Sequence, residues 1–99
     1  MKRIIKTGKA PKPIGPYNQA VEYNGMVFVS GQVAIDPETG DFKRGDITEQ
    51  THRVFQNLEA ILREAGLDFT NVIKVTCLLA DMNEFKEMNQ VYGEYFTEN

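Results

Sequence analysis

Ninety-nine residues with a formal net charge of −3, 41% apolar and 25% charged, describe one ordinary globular domain spanning residues 1–99. The acidic balance argues against nucleic acid as the main partner, since phosphate binding needs clustered cations and the basic residues here are scattered apart from Lys2, Arg3, Lys6, Lys9 and Lys12, which alternate with apolar residues and read as a solvated strand edge rather than a phosphate track. A lone cysteine and a lone histidine exclude an intramolecular disulfide and a zinc cluster, and no apolar run is long enough for a membrane span or a signal-peptide core. The expectation is a cytoplasmic protein that does not engage a membrane.

Lys2-Arg3-Ile4-Ile5-Lys6 is expected as a short strand whose charges mark it as a sheet edge. Ala10-Pro11-Lys12-Pro13 follows as an extended loop, because proline fixes φ and pushes its predecessor towards extended backbone. Ile14-Gly15-Pro16-Tyr17 continues as a stiffened turn. Ala20-Val21-Glu22-Tyr23 and Met26 to Gln32 flank Asn24-Gly25, a dipeptide that supplies the two positive φ values of a type I′ hairpin. Gly31 stands inside the second of these runs, and a glycine there signals a bulge or the close approach of a ligand or another backbone. Asp36-Pro37-Glu38-Thr39-Gly40 reads as a turn.

A helix is expected from near Asp46, which with Glu49 has the spacing of a capping box, to Gly66, where a left-handed cap would end it. Ile47, Thr51, Val54, Leu58, Ile61, Leu62 and Ala65 form its apolar stripe. Residues 72–80, β-branched and apolar almost throughout, are expected as a strand buried on both faces or central in a sheet. A second helix begins near Met82, with Asp81 and Glu84 as its capping pair. Phe85, Met88, Tyr92, Tyr95 and Phe96 line one of its faces. Strands followed by helices give an α+β fold, a mostly antiparallel sheet with two helices packed on one face.

Four residues carry candidate chemistry. Tyr17 sits on a loop stiffened by Gly15-Pro16, which fixes its phenol; on residues alone an aromatic lid over the core is the simpler role. Ser30, beside Gly31, either bonds locally or offers a hydroxyl to a polar ligand. Asn89, four residues after Phe85 and three before Tyr92, projects from an apolar helix face, so it needs hydrogen-bond partners. It either satisfies a neighbouring loop or faces a ligand. His52 reads as solvated or locally hydrogen-bonded, and Cys77 as a small buried hydrophobe. No Walker loop, dinucleotide fingerprint or nucleophile elbow is present. Arg3, Arg44, Arg53 and Arg63 lie on the terminus, a loop or a helix surface and are not nominated.

Taken together, Ala10-Pro11, Ile14-Gly15-Pro16-Tyr17-Asn18-Gln19-Ala20, Ser30-Gly31-Gln32, Asp36 to Gly40, Gln56-Asn57-Leu58, Glu64 to Leu67 and Asn89-Gln90-Val91-Tyr92 resemble the Rid (YjgF) family of reactive-intermediate deaminases. The likeness runs in order from about residue 3 to residue 99. It implies a chorismate-mutase-like subunit and a homotrimer with clefts between subunits. It also implies hydrolysis of small 2-imino or 2-enamino acids, such as 2-aminoacrylate or 2-iminobutanoate, to 2-keto acids and ammonia, without metal or organic cofactor. Position by position, it places Tyr17 and Ser30 in the substrate pocket, Gly31 at the backbone approach to substrate, and Asn89 as a polar group near the cleft.

The family pattern continues for roughly a further quarter of its length beyond Asn99. That stretch carries an arginine that clamps the substrate carboxylate, a glutamate that places the attacking water, and further strands. Within residues 1–99 no catalytic residue is therefore assignable. A non-catalytic binding or regulatory member, of the translation-inhibitor or endoribonuclease kind, is the alternative expectation, as is an inactive fragment. A chain stopping at Asn99 is expected to have unpaired strand edges and exposed apolar surface.

Overall fold

A computed structural model describes residues 2–42, 45–79 and 81–97. Three short strands form one antiparallel sheet in the order β1 (Arg3–Ile5), β2 (Ala20–Tyr23), β3 (Met26–Val29). The β2–β3 hairpin turns at Asn24 and Gly25, with φ of 52° and 76°, as a type I′ turn requires. β1 is an edge strand, and Arg3 pairs in register with Glu22, their side chains meeting at 2.7 Å. Being largely exposed, that ion pair adds little stability.

The register sorts the side chains onto two faces. Ile5, Ala20, Val27 and Val29 lie on one and pack with Ile61, so helix α1 (Ile47–Glu64) rests on that side. Ile4, Val21, Tyr23, Met26 and Phe28 share the other, where Ile4, Tyr23, Met26 and Phe28 are each at least half exposed.

Both ends of α1 follow their sequence signals. The Asp46 carboxylate accepts a hydrogen bond from the Glu49 amide at 2.9 Å. At the other end Gly66, with φ 79°, closes a Schellman motif in which Leu67 N–H donates to Leu62 C=O and Gly66 N–H to Arg63 C=O. The buried face of α1 is wider than the expected stripe, because Phe55 and Asn57, one on each flank, are also buried. Phe55 meets helix α2 (Phe85–Tyr95), stacking on Tyr95 at 5.0 Å between ring centroids, with Phe69, Tyr92 and Phe96 edge-on around it. Asn57 faces the segment after β3.

Five expectations are corrected. Residues 72–79 carry no regular secondary structure, and Ile73 and Leu78 are 90% and 91% exposed (Ala80 lies outside the described residues). Their β-branched composition fits a pleated surface only when another backbone pairs with it, and no described strand does so. Cys77, on the same segment, is accordingly exposed rather than buried. Gly31 lies outside β3, which ends at Val29.

The fourth correction is Asn89, which is exposed and does not project from the buried face of α2. That face centres on Met88, Val91 and Tyr95, and Asn89 stands about 100° round the helix from Met88. The helix also begins one turn later than its capping pair suggested. Met82–Glu84 form a 3-10 turn in which the Asp81 carboxylate accepts from the Asn83 amide at 2.9 Å.

Candidate functional site

The loop between β1 and β2 and the segment after β3 face each other across a small, open hollow. Pro11, Lys12, Ile14 and Tyr17 line it from the first side, Gly31, Gln32, Val33 and Ile35 from the second, and Gln19 joins the two.

Each wall is held by a buried side-chain amide. Gln19 is 3% exposed; its Oε1 accepts from Thr7 N–H at 2.7 Å, and its Nε2 lies within hydrogen-bond reach of the carbonyls of Thr7, Ala10 and Pro11. One side chain thus does for the proline-rich loop what a neighbouring strand would otherwise do, satisfying backbone groups that cannot pair with each other. Replacing Gln19 with leucine strands those groups, and we expect a loss of about 2 kcal/mol in stability, readable as a lower urea midpoint. Asn57 does the same for the opposite wall. It is fully buried, its Nδ2 donates to the carbonyls of Val33 and Ile35 at 3.2 and 2.9 Å, and its Oδ1 accepts from Arg53 Nε at 3.1 Å.

Tyr17 is placed by a turn that only its glycine makes easy. Gly15 has φ 141°, and its carbonyl accepts from Tyr17 N–H at 2.9 Å. The Tyr17 oxygen accepts a long bond from Ile14 N–H at 3.4 Å, which leaves the phenolic proton for a ligand. Ser30 is committed differently. Its N–H donates to Gln19 C=O at 2.9 Å and its hydroxyl to Asn18 C=O at 2.6 Å, so it ties the two walls together and retains only acceptor capacity.

Gly31 has no positive φ, and a Cβ built on it would meet nothing within 4 Å. Neither backbone geometry nor packing within the chain demands glycine there. Of the four candidates named from sequence, Tyr17 and Gly31 line the hollow, Ser30 braces it, and Asn89 on α2 does not line it. Sequence reasoning missed Lys12, Gln32 and the two amide braces.

Away from the hollow, His52 Nδ1 and the Tyr95 hydroxyl share a hydrogen bond at 3.0 Å, as expected of a locally bonded histidine, and Nε2 lies 3.5 Å from Glu94. Partial burial, reinforced by Glu59 and Glu94, pushes the Tyr95 phenol up. Arg3 and Arg63 pair with Glu22 and Glu59, and Arg53 bonds Asn57; Arg44 lies outside the described residues. Among the described residues no His, Cys, Asp or Glu group forms a metal-binding cluster, and no helix is long and apolar enough to cross a membrane.

The family described as endoribonuclease L-PSP matches residues 7–99. The chain belongs to that family. A RutC family protein of Pyrococcus abyssi is 56% identical over 98 residues, covering 99% of this chain and 77% of the relative. The human 2-iminobutanoate/2-iminopropanoate deaminase is 44% identical over 99 residues, covering 100% of this chain and 72% of the relative. Among solved structures, a protein of the conserved Rid family from Yersinia pestis superimposes with a TM-score of 0.96 at 38% identity, covering 100% of this chain and 79% of that one. This L-PSP domain therefore has the chorismate-mutase-like α+β fold of the Rid proteins.

Proposed function

We propose that this L-PSP domain is that of an imine deaminase, hydrolysing small 2-imino acids to 2-keto acids and ammonia. The likeness to a named 2-iminobutanoate/2-iminopropanoate deaminase along the whole chain carries the reading. The meeting of Tyr17 and Gly31 at one hollow supports it. Water adds to the C=N carbon, the C–N bond of the resulting carbinolamine breaks, and ammonia leaves as the C=O bond forms. An enamine first gains a proton at carbon to become the imine. This is polar proton-transfer chemistry that needs no redox partner.

In this reading the Tyr17 hydroxyl donates to a polar atom of the substrate, the bare backbone at Gly31 lets the substrate lie close, and Ser30 holds the walls in register. The carboxylate clamp and the water-placing base belong, by the family resemblance, to the arginine and glutamate of the continuing pattern. Asn89, exposed on α2, keeps a role only if a second subunit brings its cleft to that helix. The apolar sheet face of Ile4, Met26 and Phe28 supports self-association, and a homotrimer is the assembly we assign to it. Sedimentation at three times the chain mass is the expected result.

The direct test supplies 2-iminobutanoate continuously from threonine through a pyridoxal-phosphate dehydratase and follows 2-ketobutanoate. Faster release of keto acid with the protein present is expected. An unchanged rate, together with salt-sensitive binding to RNA, would favour the endoribonuclease description instead. Gly31→Ala sharpens the test. Because open space surrounds that Cβ, stability should change by no more than about 0.5 kcal/mol. A methyl at the substrate's approach should nevertheless lower kcat/KM by roughly tenfold.

A further inference from the structure

We propose that Asn24 is a self-modifying site: its side-chain amide condenses with the backbone nitrogen of Gly25, and the residue becomes aspartate or isoaspartate. The inference stands apart from the deaminase reading and rests on the tip of the β2–β3 hairpin. Of the asparagines from Asn18 to Asn89, Asn24 alone is followed by glycine. A side chain on the following residue would crowd the attacking nitrogen, and glycine has none. Both residues are exposed, and a Cβ built on Gly25 would meet nothing within 4 Å, so no neighbour obstructs ring closure.

The turn leaves the reacting groups free and one peptide flip from the geometry they need. Tyr23 and Met26 pair in register and close a two-residue loop, so the Gly25 N–H lies outside the strand ladder. Neither it nor the Asn24 amide has a hydrogen-bond partner among the described residues. Two-residue hairpin loops take two forms, I′ and II′, which share a positive φ at the first position and differ by a flip of the central peptide. Asn24, at φ 52°, fits that first position in both. The flip carries its ψ from about +30° to about −120°. The Gly25 nitrogen then moves from opposite the Asn24 Cβ to eclipsed with it, which is where a five-membered imide holds it. The Tyr23–Met26 pair need not open. Asn89, also exposed, lacks this route, because inside α2 the next backbone nitrogen is committed to the helix.

In the first step the Gly25 nitrogen gives its proton to solvent hydroxide and bonds to Asn24 Cγ. The Cγ–Nδ2 bond breaks, and Nδ2 takes a proton from solvent and leaves as ammonia. One water then opens the imide. Cleavage between the Gly25 nitrogen and Cγ gives aspartate; cleavage between that nitrogen and the main-chain carbonyl carbon of Asn24 gives isoaspartate. Water enters, ammonia leaves, and nothing is oxidised or reduced. Aspartate keeps the hairpin, since Asp-Gly suits the same turn. Isoaspartate routes the main chain through Cβ and Cγ and so lengthens the loop. Loop length sets hairpin register, so the pairing of Tyr23 with Met26 is lost.

The test incubates the full protein at mildly alkaline pH and separates its acidic forms by anion exchange. Each form is mapped by mass spectrometry with fragmentation that distinguishes aspartate from isoaspartate. The expected result is two more acidic forms, both altered at Asn24, arising in proportion to hydroxide while Asn57 and Asn89 stay intact. Asn24→Gly, which keeps a Gly-Gly turn, should yield neither. In hydrogen exchange the isoaspartate form should lose protection at the Tyr23 and Met26 amides, and Asn24→Asp should retain it. No acidic form, equal modification at Asn89, or modification of Asn24 only after unfolding in urea would overturn the proposal. Full protection of Tyr23 and Met26 in the isoaspartate form would overturn its effect on the hairpin.

Discussion

Phe55→Ala is expected to cost about 3–5 kcal/mol of folding stability. Phe55 is 2% exposed and is the one ring that Phe69, Tyr92, Tyr95 and Phe96 all touch. Removing it takes away buried apolar area and opens a space between α1 and α2 that a backbone fixed by the Asp46 cap and the Gly66 motif cannot close. A small domain is stable by only about 5–15 kcal/mol, so the variant should melt more than roughly 10 °C below wild type. Phe55→Leu keeps most of the volume and should lose less than half as much. A circular-dichroism melt of both variants decides the matter, and a Phe55→Ala midpoint within a degree or two of wild type would contradict the packing of α2 on α1.

Asn57→Ala is expected to cost somewhat less, about 2–4 kcal/mol, and acts through hydrogen bonds rather than volume. The carbonyls of Val33 and Ile35 would lose their donor, and Arg53 its acceptor. Asn57→Asp should fare no better, because a carboxylate cannot donate to either carbonyl. Since Val33 and Ile35 line the hollow, the variant should also show backbone shifts along residues 33–35 and weaker ligand binding than its lost stability explains. Denaturant melts combined with backbone NMR separate the two effects. Asn89→Ala is the internal control: that amide is exposed, and its loss should change stability by less than about 0.5 kcal/mol.

Asn57 and Asn89 also show where sequence reasoning reaches its limit. Both are asparagines in amphipathic helices, and the spacing of Asn89 to Phe85 and Tyr92 made it the better candidate for burial. The opposite holds, because the burial of a helical position depends on which faces meet a neighbour. α1 has neighbours on both flanks of its stripe, Phe55 towards α2 and Asn57 towards residues 33–35, whereas α2 buries a narrow face through Met88 and Val91. Periodicity gives the angle between residues and says nothing of where the next element lies.

The sequence by itself determined the features whose energies are settled within a few residues: the Asn24-Gly25 hairpin, the turn from Asp36 to Gly40, the Asp46 cap and the Gly66 stop. It also determined the family, since motifs spread from Ala10 to Tyr92 identify it jointly. Only the tertiary structure decided that residues 72–79 run without a strand partner and that Gln19 and Asn57 brace opposite walls of one cleft. A turn or a cap is stabilised by bonds along the chain, so its residues are adjacent in the sequence. A strand, a buried amide or a cleft is defined by groups that folding brings together from distant positions, and its signature is divided among them.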